Sequence, residues 1–110
     1  MLLTCRANSY AFDIVTRHGE PFLTNRRLFA FTDNGIPDGI KIDVDGNVYS
    51  GCGDGIHVWS PGGVFLGKMV IPGGVANFVF CEPGEIIALN ENRLYRIKIS
   101  PSRVGVLVEV

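Results

Sequence analysis

The 110 residues carry 10 basic and 11 acidic side chains, a formal net charge of −1, and 46% hydrophobic residues. That length fits one small domain or a piece of a larger one. The apolar fraction is ample for a core, and the balanced charge gives no electrostatic footprint for nucleic acid or an anionic membrane. Cys5, Cys52 and Cys81 lack CxxC spacing, which argues against a disulfide framework or a zinc site and for a reducing, cytosolic compartment. The first residues lack the apolar core of a signal peptide, and no run approaches the ~18 apolar residues of a membrane span.

In chain order, Ser9 to Val15 reads as a strand, Arg17 to Pro21 as its turn, and Phe22 to Phe31 as the next strand. The doublet Arg26-Arg27 belongs on a solvated strand face. After the loop Asp33-Asn34-Gly35 comes the organising stretch, Ile36 to Trp59. Pro37 blocks pairing upstream, and Asp38 leaves one carboxylate at the start of a strand. Ile40 and Ile42 alternate with Lys41 and Asp43, the period of a pleated strand. Asp45-Gly46 supplies the positive φ of a hairpin turn. Val48 and Tyr49 open the next strand, Asp54-Gly55 turns again, and Ile56 to Trp59 returns. Ser60-Pro61-Gly62-Gly63 makes a further turn, and Val64 to Ile71 completes four strands.

The pattern then repeats. Setting Gly46 over Gly84, an offset of 38, places Ile40 and Ile42 on Phe78 and Phe80, Val48 and Tyr49 on Ile86 and Ile87, and Ile56 on Leu94. Four strands per roughly 40 to 50 residues is the period of a β-propeller blade. The fold class is therefore all-β, an incomplete β-propeller of about two and a half four-stranded antiparallel blades. Residues 9–31 are the outer strands of one blade, 36–71 a complete blade, and 74–110 the following one, within a single partial propeller region spanning 1–110. Residues 1–8 receive no assignment. A ring needs at least about four blades, so both end faces are expected bare. The chain is then either a fragment or a protomer that completes its ring by homo-oligomerisation.

Most motif-like stretches have structural explanations. Asp43-x-Asp45-Gly46-Asn47 starts like a calcium loop but lacks its closing glutamate and flanking helices. Gly51-x-Gly53-x-Gly55 precedes a strand, not the helix that a phosphate loop opens. His18 and His57 stand without HxH or HExxH spacing, and Cys52 has no histidine partner in sequence. Trp59 reads as packing. Asp38 differs, because it begins the innermost strand of its blade, where side chains reach one mouth of the central channel.

The residues Tyr10-Ala11-Phe12-Asp13, Thr24-Asn25-Arg26-Arg27, Pro37-Asp38-Gly39-Ile40-Lys41-Ile42-Asp43 and Gly46-Asn47-Val48-Tyr49 resemble the regucalcin (senescence marker protein) and gluconolactonase family. Gly51 to Trp59 and Gly74-Val75-Ala76-Asn77-Phe78 resemble its gluconolactonase branch. The resemblance runs from about Tyr10 to Ile99. It implies a six-bladed ring that hydrolyses a sugar lactone with one divalent metal, calcium or zinc, in its channel. It further implies that Asp38 is a metal ligand and the general base, and that Asn77 can touch substrate, although a hydrogen bond to the loop backbone is the alternative for Asn77. The family's other ligands, a glutamate near its N-terminus and asparagines from earlier blades, have no counterpart here. The expectation is a lactonase fragment inactive on its own, with no metal for this chain alone. The alternative is a non-catalytic interaction module that self-assembles through exposed blade faces.

Overall fold

Three antiparallel sheets, built from strands consecutive in sequence, make up the described part of the chain. The structure is a computed structural model. It describes residues 2–5, 8–33, 35, 37–100 and 103–109, with side-chain surroundings for 8–33, 35 and 37–99. Ile36 and Val110, where the expected blades begin or end, lie outside the described residues.

The first sheet has strands β1 (Leu2–Cys5), β2 (Asn8–Arg17) and β3 (Glu20–Phe31) in that order. The second has β4 (Ile40–Ile42), β5 (Val48–Cys52), β6 (Gly55–Trp59) and β7 (Phe65–Val70). The third has β8 (Asn77–Phe80), β9 (Glu85–Leu89), β10 (Leu94–Ser100) and β11 (Arg103–Glu109). These are meanders of the blade type, a partial propeller with no helix among the described residues. The first sheet is larger than the sequence pattern suggests, because β1 pairs with β2 from Leu2–Ala11 to Cys5–Asn8.

The second sheet shows why these are stacked blades and not isolated meanders. Side chains alternate across a strand, and both faces of β6 are buried. Ile56 and Val58 join one core with Ile71, Val75, Phe78, Ile86 and Ile97, which ties the second sheet to the third. Trp59 joins another with Val48 and Ala30, which ties it to the first. On the third sheet Phe78, Ile86 and Ile97 face inward, while Val79 and Leu89 stand 50% and 47% exposed. The bare end face expected from the sequence is present there. No helix among the described residues is long and apolar enough to cross a membrane.

Local chemistry fixes the hairpins. Asp43 Oδ1 accepts from the backbone N–H of Asp45 and Asn47, both at 2.9 Å. Its Oδ2 accepts from Asn47 Nδ2 at 3.1 Å and from the Tyr49 hydroxyl at 2.9 Å. Asp43 therefore builds a turn, and its four bonds account for the calcium-loop look of this stretch. Burial pushes the Asp43 carboxyl up, but the bonds from Asn47, Tyr49 and the backbone outweigh it and hold it below the usual range. Burial, then the Asp43 bond, pushes the Tyr49 hydroxyl up to about 12.

Because the folded value lies below the ~3.9 of an unfolded aspartate, this stabilisation is full above that value and is lost as pH falls through the folded one. Asp43→Ala is expected to cost ~1–2 kcal/mol at pH 7 and progressively less in strong acid. Urea melts at pH 7 and near pH 3 check this; a deficit independent of pH would contradict it.

Candidate functional site: the Asp38 groove and the blade seams

Asp38 is held by backbone, not by side chains. Its N–H donates to Gly51 O at 2.8 Å, and Gly51 N–H returns a bond to Gly39 O at 3.0 Å. The Ser50 hydroxyl also donates to Gly39 O, at 3.2 Å. Gly39 N–H donates across the seam to Ala76 O at 3.1 Å, and Val75 N–H donates to Cys52 O at 3.0 Å. The start of β4 is thus pinned to its own sheet and to the next. The Asp38 side chain itself is exposed.

It lines a groove of about 860 Å³ running over the loops of the second and third sheets, with Cys52, Ala76, Asn90, Arg93 and Tyr95 among its walls. The far wall is the β9–β10 turn. There Asn90 Oδ1 accepts from the N–H groups of Asn92 at 3.0 Å and Arg93 at 2.8 Å, and Asn90 Nδ2 donates to Pro72 O at 3.2 Å.

Glycines make the seam possible. A Cβ on Gly51 would stand 2.5 Å from Val75 O, and one on Gly39 would stand 2.6 Å from Asn77 Oδ1. Gly55 faces the Met69 carbonyl with no room for a side chain and has φ +145°. The Gly51-x-Gly53-x-Gly55 run is accordingly backbone packing. Asn77 Oδ1 accepts from the N–H of the next residue, Phe78, at 2.9 Å, both at the start of β8, and the side chain lies over Gly39.

Cys52 is buried, and burial followed by the charge of Asp54 pushes its thiol up to about 11, which removes it as a nucleophile near neutral pH. Cys52 and Cys81 are free thiols.

A second set of groups lies on the other seam. His57, 1% exposed, places Nε2 2.6 Å from Asp54 Oδ1, and Lys68 Nζ donates to Asp54 Oδ2 at 2.7 Å. Asp33, from the loop after β3, completes a trio with Asp54 and His57 in which one ligand atom from each lies within 4.8 Å of the others. The sequence singled out His57 but not these partners: Asp54, three residues before it, reads as a turn residue, and no local spacing connects Asp33 to it.

Among the described residues this trio is the one such convergence of three His, Cys, Asp or Glu groups, and Asp38 is outside it. A calcium ion takes six to eight oxygens. The described groups around Asp38 therefore do not by themselves fit a divalent cation.

No family model and no curated protein matches the sequence. Among solved structures, the chain is similar to a gluconolactonase from Xanthomonas campestris described as important in glucose secondary metabolic pathways. Identity is 28% and the TM-score 0.70, over 84% of this chain and 30% of that one. It is also similar to a structural-genomics target assigned as a gluconolactonase, with 19% identity and a TM-score of 0.73 over 99% of this chain and 37% of that one. The second likeness speaks for the fold alone. The chain spans 30% and 37% of the lengths of these two neighbours.

Proposed function

We propose that the chain supplies the Asp38 blade, and the one after it, to a gluconolactonase-like lactone hydrolase, and that it is inactive by itself. The observation that carries this reading is Asp38. It is an exposed carboxylate on a backbone pinned from two sheets, at the head of an open groove, in a fold shared with a gluconolactonase. In that role the carboxylate takes the proton from a water attacking the lactone carbonyl, the ring acyl C–O bond breaks, the proton passes to the departing ring oxygen, and a hydroxy acid leaves. The pinned strand start supplies orientation, and the Asn90-braced turn bounds the space for a small polyhydroxylated ring. The resemblance also implies calcium or zinc at the hub. Among the described residues Asp38 is the one carboxylate that the resemblance offers to it, and the remaining ligands are assigned to other blades. The free thiols of Cys52 and Cys81 fit a cytosolic setting.

The test is hydrolysis of a 1,5-aldonolactone by the purified protein, with its size measured on the same sample and Asp38→Ala as control. Activity confined to a discrete oligomer and falling about 100-fold or more in the variant is the expected result. An active species indifferent to Asp38→Ala overturns the reading.

A second reading, a non-catalytic module that pairs through blade faces, is favoured by the exposed Val79 and Leu89 on the outer face of the third sheet. It predicts a discrete oligomer with no hydrolysis.

A further inference from the structure

We propose that Asp33, Asp54 and His57 form a binding site for a divalent transition metal of the zinc or cobalt type, on the seam between the first and second sheets and separate from Asp38.

The donors come from two blades. Asp33 follows β3, Asp54 lies in the β5–β6 turn, and His57 is on β6. One imidazole nitrogen and two carboxylate oxygens converge within 4.8 Å. Around an ion with bonds of ~2.0–2.2 Å, ligand atoms stand roughly 3–3.5 Å apart, so the ion replaces the proton between His57 Nε2 and Asp54 Oδ1, which part from their 2.6 Å hydrogen bond, while the exposed Asp33 swings inward. A mixed nitrogen and oxygen set selects zinc, cobalt or nickel over calcium or magnesium, which take oxygen alone.

The imidazole is built into place as a ligand would be. It is fully buried, and its ring lies 5.8 Å from that of Trp59 and 5.7 Å from that of Phe65, which fixes its plane. Open space adjoins it. A slot of about 340 Å³ is bounded by Asp33 and His57 together with Phe29, Trp59 and Phe65, enough for an ion and its remaining water ligands.

Lys68 sits on Asp54 Oδ2, so the ion takes Oδ1 in place of that oxygen's hydrogen bond with His57 Nε2. The competing account is a purely structural network in which Asp54 orients His57 and no ion enters.

The experiment is titration of the purified chain with zinc by calorimetry and with cobalt by visible absorption, folding being followed by Trp59 fluorescence. The expected result is one-to-one micromolar binding, with cobalt d–d bands and no thiolate charge-transfer band. Asp33→Asn, a change at an exposed position, weakens binding about 30-fold or more with the fold intact. His57→Gln does the same or more, and Asp38→Ala leaves binding unchanged. The proposal is overturned by folded protein that binds no tighter than millimolar or by affinity indifferent to Asp33→Asn. It is equally overturned by a thiolate band that places the ion on a cysteine, or by loss of binding in Asp38→Ala. None of these outcomes depends on lactone hydrolysis.

Discussion

Ile56→Ala is expected to lower the unfolding free energy by about 2–5 kcal/mol, the cost of a cavity in a core that cannot collapse. Ile56 is 0% exposed and joins the second sheet to Ile71, Val75, Phe78 and Ile86. The lost side chain removes buried area and leaves a void between two sheets, each held in place by its own backbone ladder. A chain this small keeps only ~5–15 kcal/mol of net stability, so the variant should melt far earlier in urea. Val44, fully exposed, is the control, and Val44→Ala should stay within about 0.5 kcal/mol of the parent. Equal losses for the two would mean that the sheets do not share a core.

Gly51→Ala should be the next most damaging change, costing ~1–3 kcal/mol through overpacking. The clash is with Val75 O, a backbone atom at 2.5 Å that cannot rotate away. Relief requires the third sheet to back off from the second. Gly51 also accepts from Asp38 N–H and donates to Gly39 O, so the same shift moves the Asp38 strand start. Gly19→Ala offers the contrast. It has φ +79° in the β2–β3 turn but nothing within 4 Å, so only local backbone strain of ~1–2 kcal/mol applies and the Asp38 region is untouched. Amide chemical shifts of Asp38 and Gly39 separate the two cases: they move in Gly51→Ala and stay in Gly19→Ala. Unmoved shifts in the first would contradict the seam.

The repeat was legible because strand period and turn chemistry agree. Asp45-Gly46 and Asp54-Gly55 mark real turns, and the offset of 38 carries Phe65, the first residue of β7, onto Arg103, the first of β11. Strand β1 was not legible, since four residues without turn signals look like any short apolar run and pairing with β2 decides their state.

The Tyr10-to-Asp13 and Thr24-to-Arg27 stretches carried the family resemblance without showing their purpose. In the fold they form a clamp. Asn25 takes φ +54° and donates to Asp13 Oδ2 at 3.0 Å, Arg27 pairs with Asp13 Oδ1 at 2.9 Å, and Arg26 lies 4.0 Å over the Tyr10 ring. The basic doublet lies on an exposed face, as expected, and there it also engages Asp13 and Tyr10. Composition could not reveal this, because it depends on a left-handed asparagine inside β3, beside its register shift against β2.

Asp38 could be placed at a strand start from Pro37 and the alternation that follows, but the bonds that pin it come from Gly51 and Ala76, in other strands and loops. The gathering of Asp33 and Asp54 around His57 was hidden for the same reason. Motif spacing sees neighbours along the chain: Asp54 lies three residues before His57 but reads as a turn residue, and Asp33 reaches the pair only when the first sheet stacks on the second.

Amide hydrogen exchange at the seam tests the account most directly. The N–H groups of Asp38, Gly39, Gly51, Val75 and Ala76 donate to Gly51, Ala76, Gly39, Cys52 and Leu89 carbonyls, at 2.8 to 3.1 Å. They should be protected together with the core amides of β5, β6 and β9, and Gly51→Ala should release them as a group. Exchange of these amides at unprotected rates, while the other amides of β5, β6 and β9 remain protected, would contradict the claim that stacked blades hold Asp38 in place.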